Sequence, residues 1–386
     1  MKKTAVFDAR WILPEPSGIG VYAEALATRL PLLLLPDWRF AFLVRPDAPR
    51  RLADRLAGAA PGGAEVVRFP RGPMSPLDPA SLARFLAARR ADVYHTPNFS
   101  LPHPPFFRRG GGRVRVLATI HDVIPLVVRD YAPESLKSRF RGIFRFCLRS
   151  TARGADALFT VSETSKRDLV SALRLGEKDA ARVRAVPNGV APEFSAAPHA
   201  PAKASGDRAE RVLLYVGRRD PYKNVPLLVE AFAAARARAP WPLRLVLAGS
   251  PDPRYPEAEE KARALGVEDA VTVAGAMPFH ALVETYRTAD LLVHPSRYEG
   301  FGLQVAEAFA SGLPVACSDG GSLPEVAGDA ARIVPLGAGV GAWAGAILEI
   351  LSDPAAQMRM REAGLRRAAA FSWDRAAEAV ASAYAP

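Results

Sequence analysis

Two stretches of the chain carry residues whose types and spacing could do chemistry. The first reads His294-Pro295-Ser296-Arg297-Tyr298-Glu299-Gly300-Phe301-Gly302-Leu303-Gln304-Val305-Ala306-Glu307. It follows an apolar run and leads into a helical pattern. Gly300 and Gly302, either side of Phe301, let a backbone approach a ligand closely. The helix that follows adds free N–H groups and the positive end of its dipole. Such a place suits phosphate. Glu299 in the loop and Glu307 in the first turns of the helix can accept hydrogen bonds from sugar or ribose hydroxyls. A solvated acid at an ordinary strand–loop–helix turn would read the same way.

The second stretch is Gly217-Arg218-Arg219-Asp220-Pro221-Tyr222-Lys223-Asn224, again between an apolar run and a helical one. Arg218 offers a planar fork and Lys223 a point charge, and both can reach one diphosphate. The plainer alternative is a solvated basic loop in which Asn224 caps the next helix. Other signals are weaker alone. Gly18-Ile19-Gly20 follows the first strand but has Ala23 where a dinucleotide fingerprint carries its third glycine. His121 could end a strand and pair with a nearby carbonyl. His95 reads as structural, and His103 and His280 as surface residues. Ser162, Glu163, Ser165 and Lys166 read as helix-cap chemistry. No Asp-x-Asp occurs anywhere, so the paired acids that hold a divalent ion against a diphosphate are missing.

The elements that must position these residues are legible as an alternation of short apolar runs with helical patterns, which points to α/β architecture. Strands are expected at 4–8, 41–44, 65–69, 93–95, 114–121, 157–161 and 183–186, with helices near 20–30, 79–88, 133–153 and 163–173. Residues 191–210, rich in Ala and Pro and without periodicity, read as a linker. Strands follow at 211–217, 243–249, 271–274, 291–294, 314–318 and 333–334. Helices are expected at 225–238, 256–265, 278–288, 304–311 and from 341 onward. The expected fold is two Rossmann-like domains, 1–190 and 211–370, facing a central cleft, with residues 371–386 as a C-terminal helix returning to the first. In the helix at 133–153, Leu136, Phe140, Ile143, Phe144 and Cys147 should face the core. Lys137, Arg141, Arg145, Arg149 and Arg153 recur at four-residue intervals, either as a solvated face or as a stripe toward an anionic membrane.

Composition bounds the class. A chain of 386 residues, 49% apolar, suits two domains. Cys147 and Cys317 are far apart and fit no metal spacing, which favours a reducing cytoplasm. Lys2 and Lys3 mimic the start of a signal peptide, but Asp8 and Arg10 interrupt it. No run reaches the roughly 20 apolar residues of a membrane helix. The expectation is a soluble or peripheral protein. The net charge is +11, unevenly spread. Residues 1–190 hold 31 Lys and Arg against 17 Asp and Glu, a balance of +14, and the rest 20 against 23, or −3. A basic first half suits an anionic acceptor or membrane surface. No nucleic-acid motif accompanies it, so nucleic acid is not an expected partner.

Taken together, these residues resemble the retaining glycosyltransferases of family four, which have the two-Rossmann (GT-B) fold. Glu299 and Glu307 match the family's E-x7-E element, and Arg218 with Lys223 resembles its diphosphate clamp. Gly18 and Gly20 resemble its N-terminal glycine-rich loop, and His121-Asp122 its histidine at the end of a central strand. Val186-Pro187-Asn188-Gly189-Val190 is similar to its hinge, Pro324-Glu325-Val326 to its late acidic loop, and Phe371-Ser372-Trp373 to its terminal motif. Asn224 departs from a clamp that often reads Gly-x-x-x-x-Lys-Gly. Within the family the chain resembles bacterial mannosyltransferases of surface-polysaccharide assembly.

The resemblance implies a metal-independent enzyme with no cofactor beyond its nucleotide-sugar donor, GDP-mannose by expectation and a UDP-sugar as the alternative. It implies a saccharide or lipid-linked acceptor bound by the first domain, and a place in the cytoplasm or at the inner face of the membrane. Retention requires either a protein nucleophile, for which Glu299 is the conceivable acid, or attack on the face that the leaving group departs from. By resemblance the second applies. Glu299 would then contact the transferred sugar, Glu307 the ribose, and His121 would position the sugar or the attacking hydroxyl. A nucleotide-sugar epimerase, a sugar phosphorylase and a non-catalytic binding protein are the rival readings.

Overall fold

The computed structural model describes residues 2–13, 17–60, 64–99, 114–195 and 210–385. His103 and positions 196–209 of the expected linker lie outside them. The chain forms two compact units. One comprises Met1–Val127, Phe140–Gly189 and Ser372–Pro386, the other Val128–Arg139 and Val190–Phe371.

In the first unit, β1 (Lys3–Asp8), β2 (Trp38–Val44), β3 (Ala64–Arg68), β4 (Val93–Thr96), β5 (Arg115–Thr119), β6 (Ala157–Thr160) and β7 (Val183–Ala185) make one sheet. Its order is β3-β2-β1-β4-β5-β6-β7, and every pairing is parallel. In the second, β8 (Arg211–Val216), β9 (Leu243–Ala248), β10 (Val271–Gly275), β11 (Leu291–His294), β12 (Val315–Ser318) and β13 (Arg332–Val334) run in the order β10-β9-β8-β11-β12-β13, again parallel. Sheets covered on both faces need apolar strands rather than alternating ones. Accordingly β4, β6, β11 and β12 are buried at every residue.

In each sheet the strand order reverses once, between β1 and β4 and between β8 and β11. Neighbouring crossovers leave such a point in opposite directions, which opens a crevice beyond the strand carboxyl ends where ligands bind. Side-chain caps set several helix starts. Ser17 accepts from the N–H of Gly20, Ser162 from that of Ser165, and Ser372 from those of Asp374 and Arg375.

The expected strands all form. Several other expectations change. Residues 133–153 are not one helix: they form Leu136–Arg139 and Arg141–Gly154, with Phe140 out of helical conformation between them. The second piece turns Phe144, Cys147, Leu148, Thr151 and Ala152 inward. Leu136, Phe140 and Ile143 are exposed instead of core. The sequence offers two overlapping apolar faces, and the helix can bury only one. The face with Thr151, Ala152 and Gly154 is the less bulky one and lies against the first unit's core. Residues 128–139 group with the second unit, although they precede the linker. The start of that linker is also anchored. Phe194 is buried against Phe279 and Tyr286, and Arg287 donates to the carbonyls of Glu193 and Ser195.

Candidate active site

The loop after β8 begins at Gly217 and ends in a 3-10 turn, Pro221–Lys223. Asn224 follows at φ 57°, ψ 34°, the left-handed region. Its side chain makes no cap hydrogen bond, so the capping role read from sequence is corrected. Asparagine is here because it is among the few side chains that tolerate the backbone turn where glycine is usual. The turn buries Lys223, whose Nζ lies 2.6 Å from Glu299 Oε1. Arg218 behaves differently. Its side chain is 64% exposed and pairs with Asp220 at 3.0 Å and Asp252 at 3.4 Å. The structure therefore joins Lys223 to Glu299 and gives Arg218 to two acids.

The loop after β11 carries Glu299, held from several sides. Its carbonyl accepts from the backbone N–H and hydroxyl of Ser322. Gly321 is needed there: a Cβ would come within 2.4 Å of that carbonyl, and its φ is +61°. The carboxylate takes two donors on one oxygen. Lys223 Nζ and His294 Nε2, the latter at 2.8 Å, both reach Oε1. Oε2 makes no hydrogen bond with the described residues. Burial alone would push this carboxyl up. The charge of Lys223 and the hydrogen bonds from His294 and Lys223 outweigh it and bring it down to about 2. Burial likewise opposes the charge on Lys223, but the attraction of Glu299 wins and its pKa rises.

Gly302 turns the chain at φ 93° into the helix Leu303–Ala310, and no side chain caps that helix. Its first N–H groups remain available for an anion. Phe301 packs edge-on against Phe371, so its ring anchors the loop and Gly300 and Gly302 carry the close backbone. Glu307 lies one helical stretch on. It is half-buried as a residue, but protein atoms crowd its carboxyl, which is pushed up to about 7. One hydrogen bond, from Tyr286 at 2.8 Å, acts in the other direction.

The remaining sequence-predicted residues lie in the first unit. Gly18 and Gly20 form the first turn of the helix Gly18–Leu34 rather than a loop. His121 lies two residues beyond β5. Its Nε2 is 2.8 Å from the Pro97 carbonyl, and its ring meets Tyr22, from the same helix turn, edge-on at 4.8 Å. His95 is buried, with its Nδ1 2.8 Å from the hydroxyl of Tyr384.

Sequence reasoning gave no role to His294, Ser322 or Tyr286. His294 had one available signal: it is the polar end of an otherwise apolar strand, five residues before Glu299. Among the described residues, no group of three or more His, Cys, Asp or Glu side chains could hold a metal ion. No helix among them is long and apolar enough to cross a membrane. Within the second unit the arrangement offers a buried cation, uncapped helix N–H groups and a carboxylate with one oxygen to spare. It can take an anionic group beside a hydroxyl-bearing one.

Comparison with known proteins identifies the family. Residues 16–194 match the family described as Glycosyltransferase Family 4, and residues 200–367 the family described as Glycosyl transferases group 1. The chain is 30% identical over 318 residues to O-antigen chain mannosyltransferase B of Escherichia coli, covering 80% of this chain and 78% of that protein. It is 31% identical over 401 residues to D-inositol 3-phosphate glycosyltransferase of Kribbella flavida, covering 96% and 91%. Among solved structures, Anabaena HepE in complex with UDP and glucose superposes with a TM-score of 0.73 at 17% identity, covering 99% of both chains. The chain belongs to glycosyltransferase family 4 and has its two-domain GT-B fold.

Proposed function

We propose that this glycosyltransferase moves a mannosyl group from GDP-mannose, with retention and without a metal ion, to a saccharide or lipid-linked acceptor of a surface polysaccharide. The observation that carries the reading is the meeting of Lys223 with Glu299 where the strand order reverses between β8 and β11. Lys223, Arg218 and the N–H groups at Leu303 supply positive charge for a leaving diphosphate. Glu299 Oε2 is an acceptor for hydroxyls of the transferred sugar, and Glu307 for the ribose. The choice of mannose rests on the likeness to the Escherichia coli enzyme. The solved HepE complex, which holds UDP, makes a UDP-sugar the second reading.

A radiolabelled-donor panel tests the assignment. GDP-mannose should turn over to a product with the donor's anomeric configuration. Turnover of UDP-sugars without GDP-mannose would overturn the choice of donor. Calorimetric titration should show Lys223→Ala and Arg218→Ala losing roughly 1.5–3 kcal/mol of nucleoside-diphosphate affinity. The exposed Arg218 falls at the lower end. Intact-mass spectrometry of enzyme quenched during turnover should show no hexosyl adduct on Glu299.

We also place the enzyme at the inner face of an anionic membrane. The support lies in the first unit, on the helix Arg141–Gly154. At about 100° per residue, Ile143 and Phe146 fall on one side of its solvent face, and the exposed Arg145 and half-buried Arg149 on the other. Ile143 is 60% and Phe146 61% exposed. A split of that kind suits a helix lying in the interface, apolar groups inserted and cations at the headgroups. Arg141 donates to the Leu126 carbonyl and is left out of the test. Arg145→Glu with Arg149→Glu should reduce binding to phosphatidylserine vesicles while the melting transition stays in place. Unchanged binding would return this face to solvent.

A further inference from the structure

His294 sits at the end of β11, fully buried, its ring stacked on that of Tyr215 at 5.9 Å and 13°. One hydrogen bond ties it to its surroundings, from Nε2 to Glu299 Oε1. Its other nitrogen, Nδ1, is buried with no hydrogen-bond partner among the described residues. A buried imidazole kept only for packing would waste one polar atom where Phe or Leu would fill the space without that penalty. Because Oε1 belongs to an ionised carboxylate, Nε2 must carry the proton, which fixes the tautomer.

The geometry points to His294 as a positioning residue for Glu299. This rests on the reading that Glu299 contacts the donor sugar. Glu299 has two anchors of different kinds. Lys223 is a flexible cation on a loop, and a bound diphosphate competes with Glu299 for it. His294 is a ring donor at the end of β11, a strand paired with β8 on one side and β12 on the other. When Lys223 swings toward phosphate, His294 keeps Oε1 in place, so that Oε2 still meets a sugar hydroxyl. A site needs such support because small misplacements of a contacting group cost large factors in rate.

Three variants test this: His294→Phe, which keeps an aromatic ring for stacking but has no donor, His294→Gln, whose amide can reach the same oxygen, and Glu299→Ala. We expect H294F to melt cooperatively, to bind nucleoside diphosphate within about threefold of wild type, and to lose about tenfold or more in kcat. H294Q should recover a substantial part of that loss. In the Glu299→Ala background H294F should cost nothing further, since the residue acts only through that carboxylate. Wild-type turnover in H294F, equal losses in H294F and H294Q, additive losses with Glu299→Ala, or a parallel collapse of diphosphate binding would each overturn the proposal. Nitrogen-15 NMR of the unliganded protein separates this from the donor reading. An Nδ1–H tautomer at His294 sinks the positioning role even in an active mannosyltransferase. An Nε2–H tautomer supports the contact whichever sugar nucleotide is used.

Discussion

The loop at Glu299 and the helix turn at Glu307 hold the same side chain, eight residues apart, in opposite states. Glu299 has a buried lysine and a histidine on one oxygen, and its pKa falls to about 2. Among the described residues the carboxyl of Glu307 has only the hydroxyl of Tyr286, and burial lifts it to about 7. Glu299 is buried and Glu307 half-buried, yet it is the more buried residue whose pKa falls, so burial alone does not separate them. The difference is whether a cation was buried too. A fixed carboxylate and a carboxyl poised near neutrality suit different work. The first can accept from hydroxyls at any physiological pH, and the second changes its hydrogen-bonding character there.

The largest effect should come from breaking the ion pair. Lys223→Ala leaves Glu299 buried without its cation and should cost the second unit roughly 3–5 kcal/mol. Chemical denaturation is the check, and Lys223→Ala with Glu299→Ala together should recover part of the loss. If single and double variants unfold at the same denaturant concentration, the pair is not what sets Glu299 apart. Next in size is turnover. Glu299→Ala should lose more than tenfold, or about 1.4 kcal/mol of barrier. Glu307→Ala should act mainly through the donor KM. Equal kcat losses at both glutamates would erase the distinction between them. His121→Ala, in the first unit, should also lose more than tenfold in turnover, and near-normal kinetics would leave His121 without a part in turnover.

The effect on stability against pH has opposite signs at the two residues. The folded pKa of Glu307 lies above its unfolded value, so its contribution is complete below about pH 4.5 and is lost as pH rises through about 7. That of Glu299 lies below, so its contribution is present above about pH 4.5 and is lost as pH falls toward about 2. Glu307→Gln should flatten the melting-temperature curve between about pH 4.5 and 7, and Glu299→Gln should flatten it on the acid side. A Glu307→Gln curve that still falls across neutrality would assign the slope to another group.

Much of this was local and therefore legible in the sequence. The buried strands announce themselves as apolar runs because parallel sheets hide both faces. The helix opening after Gly302 and the strand–loop–helix placement of Lys223 follow from turn chemistry within a few residues. Asn224 shows the limit of that reading. Its position at a helix start was correct and its role was not, because capping and left-handed backbone favour the same residue. The stretch 133–153 shows another limit. Periodicity reports that an apolar face exists, and it cannot choose between two overlapping faces.

By itself the sequence determined the two α/β units, the loops that bear the candidate site and the family to which the chain belongs. Only the tertiary structure decided the chemistry within those loops. Lys223 and Glu299 are 76 residues apart and meet because β8 and β11 are neighbours in the sheet. That meeting holds Glu299 ionised, takes Lys223 away from Arg218 and puts the Glu299 carboxylate within reach of His294. Charge states and hydrogen bonds are set by what lies within a few ångströms in space, while propensity and periodicity report only on what lies near in the chain.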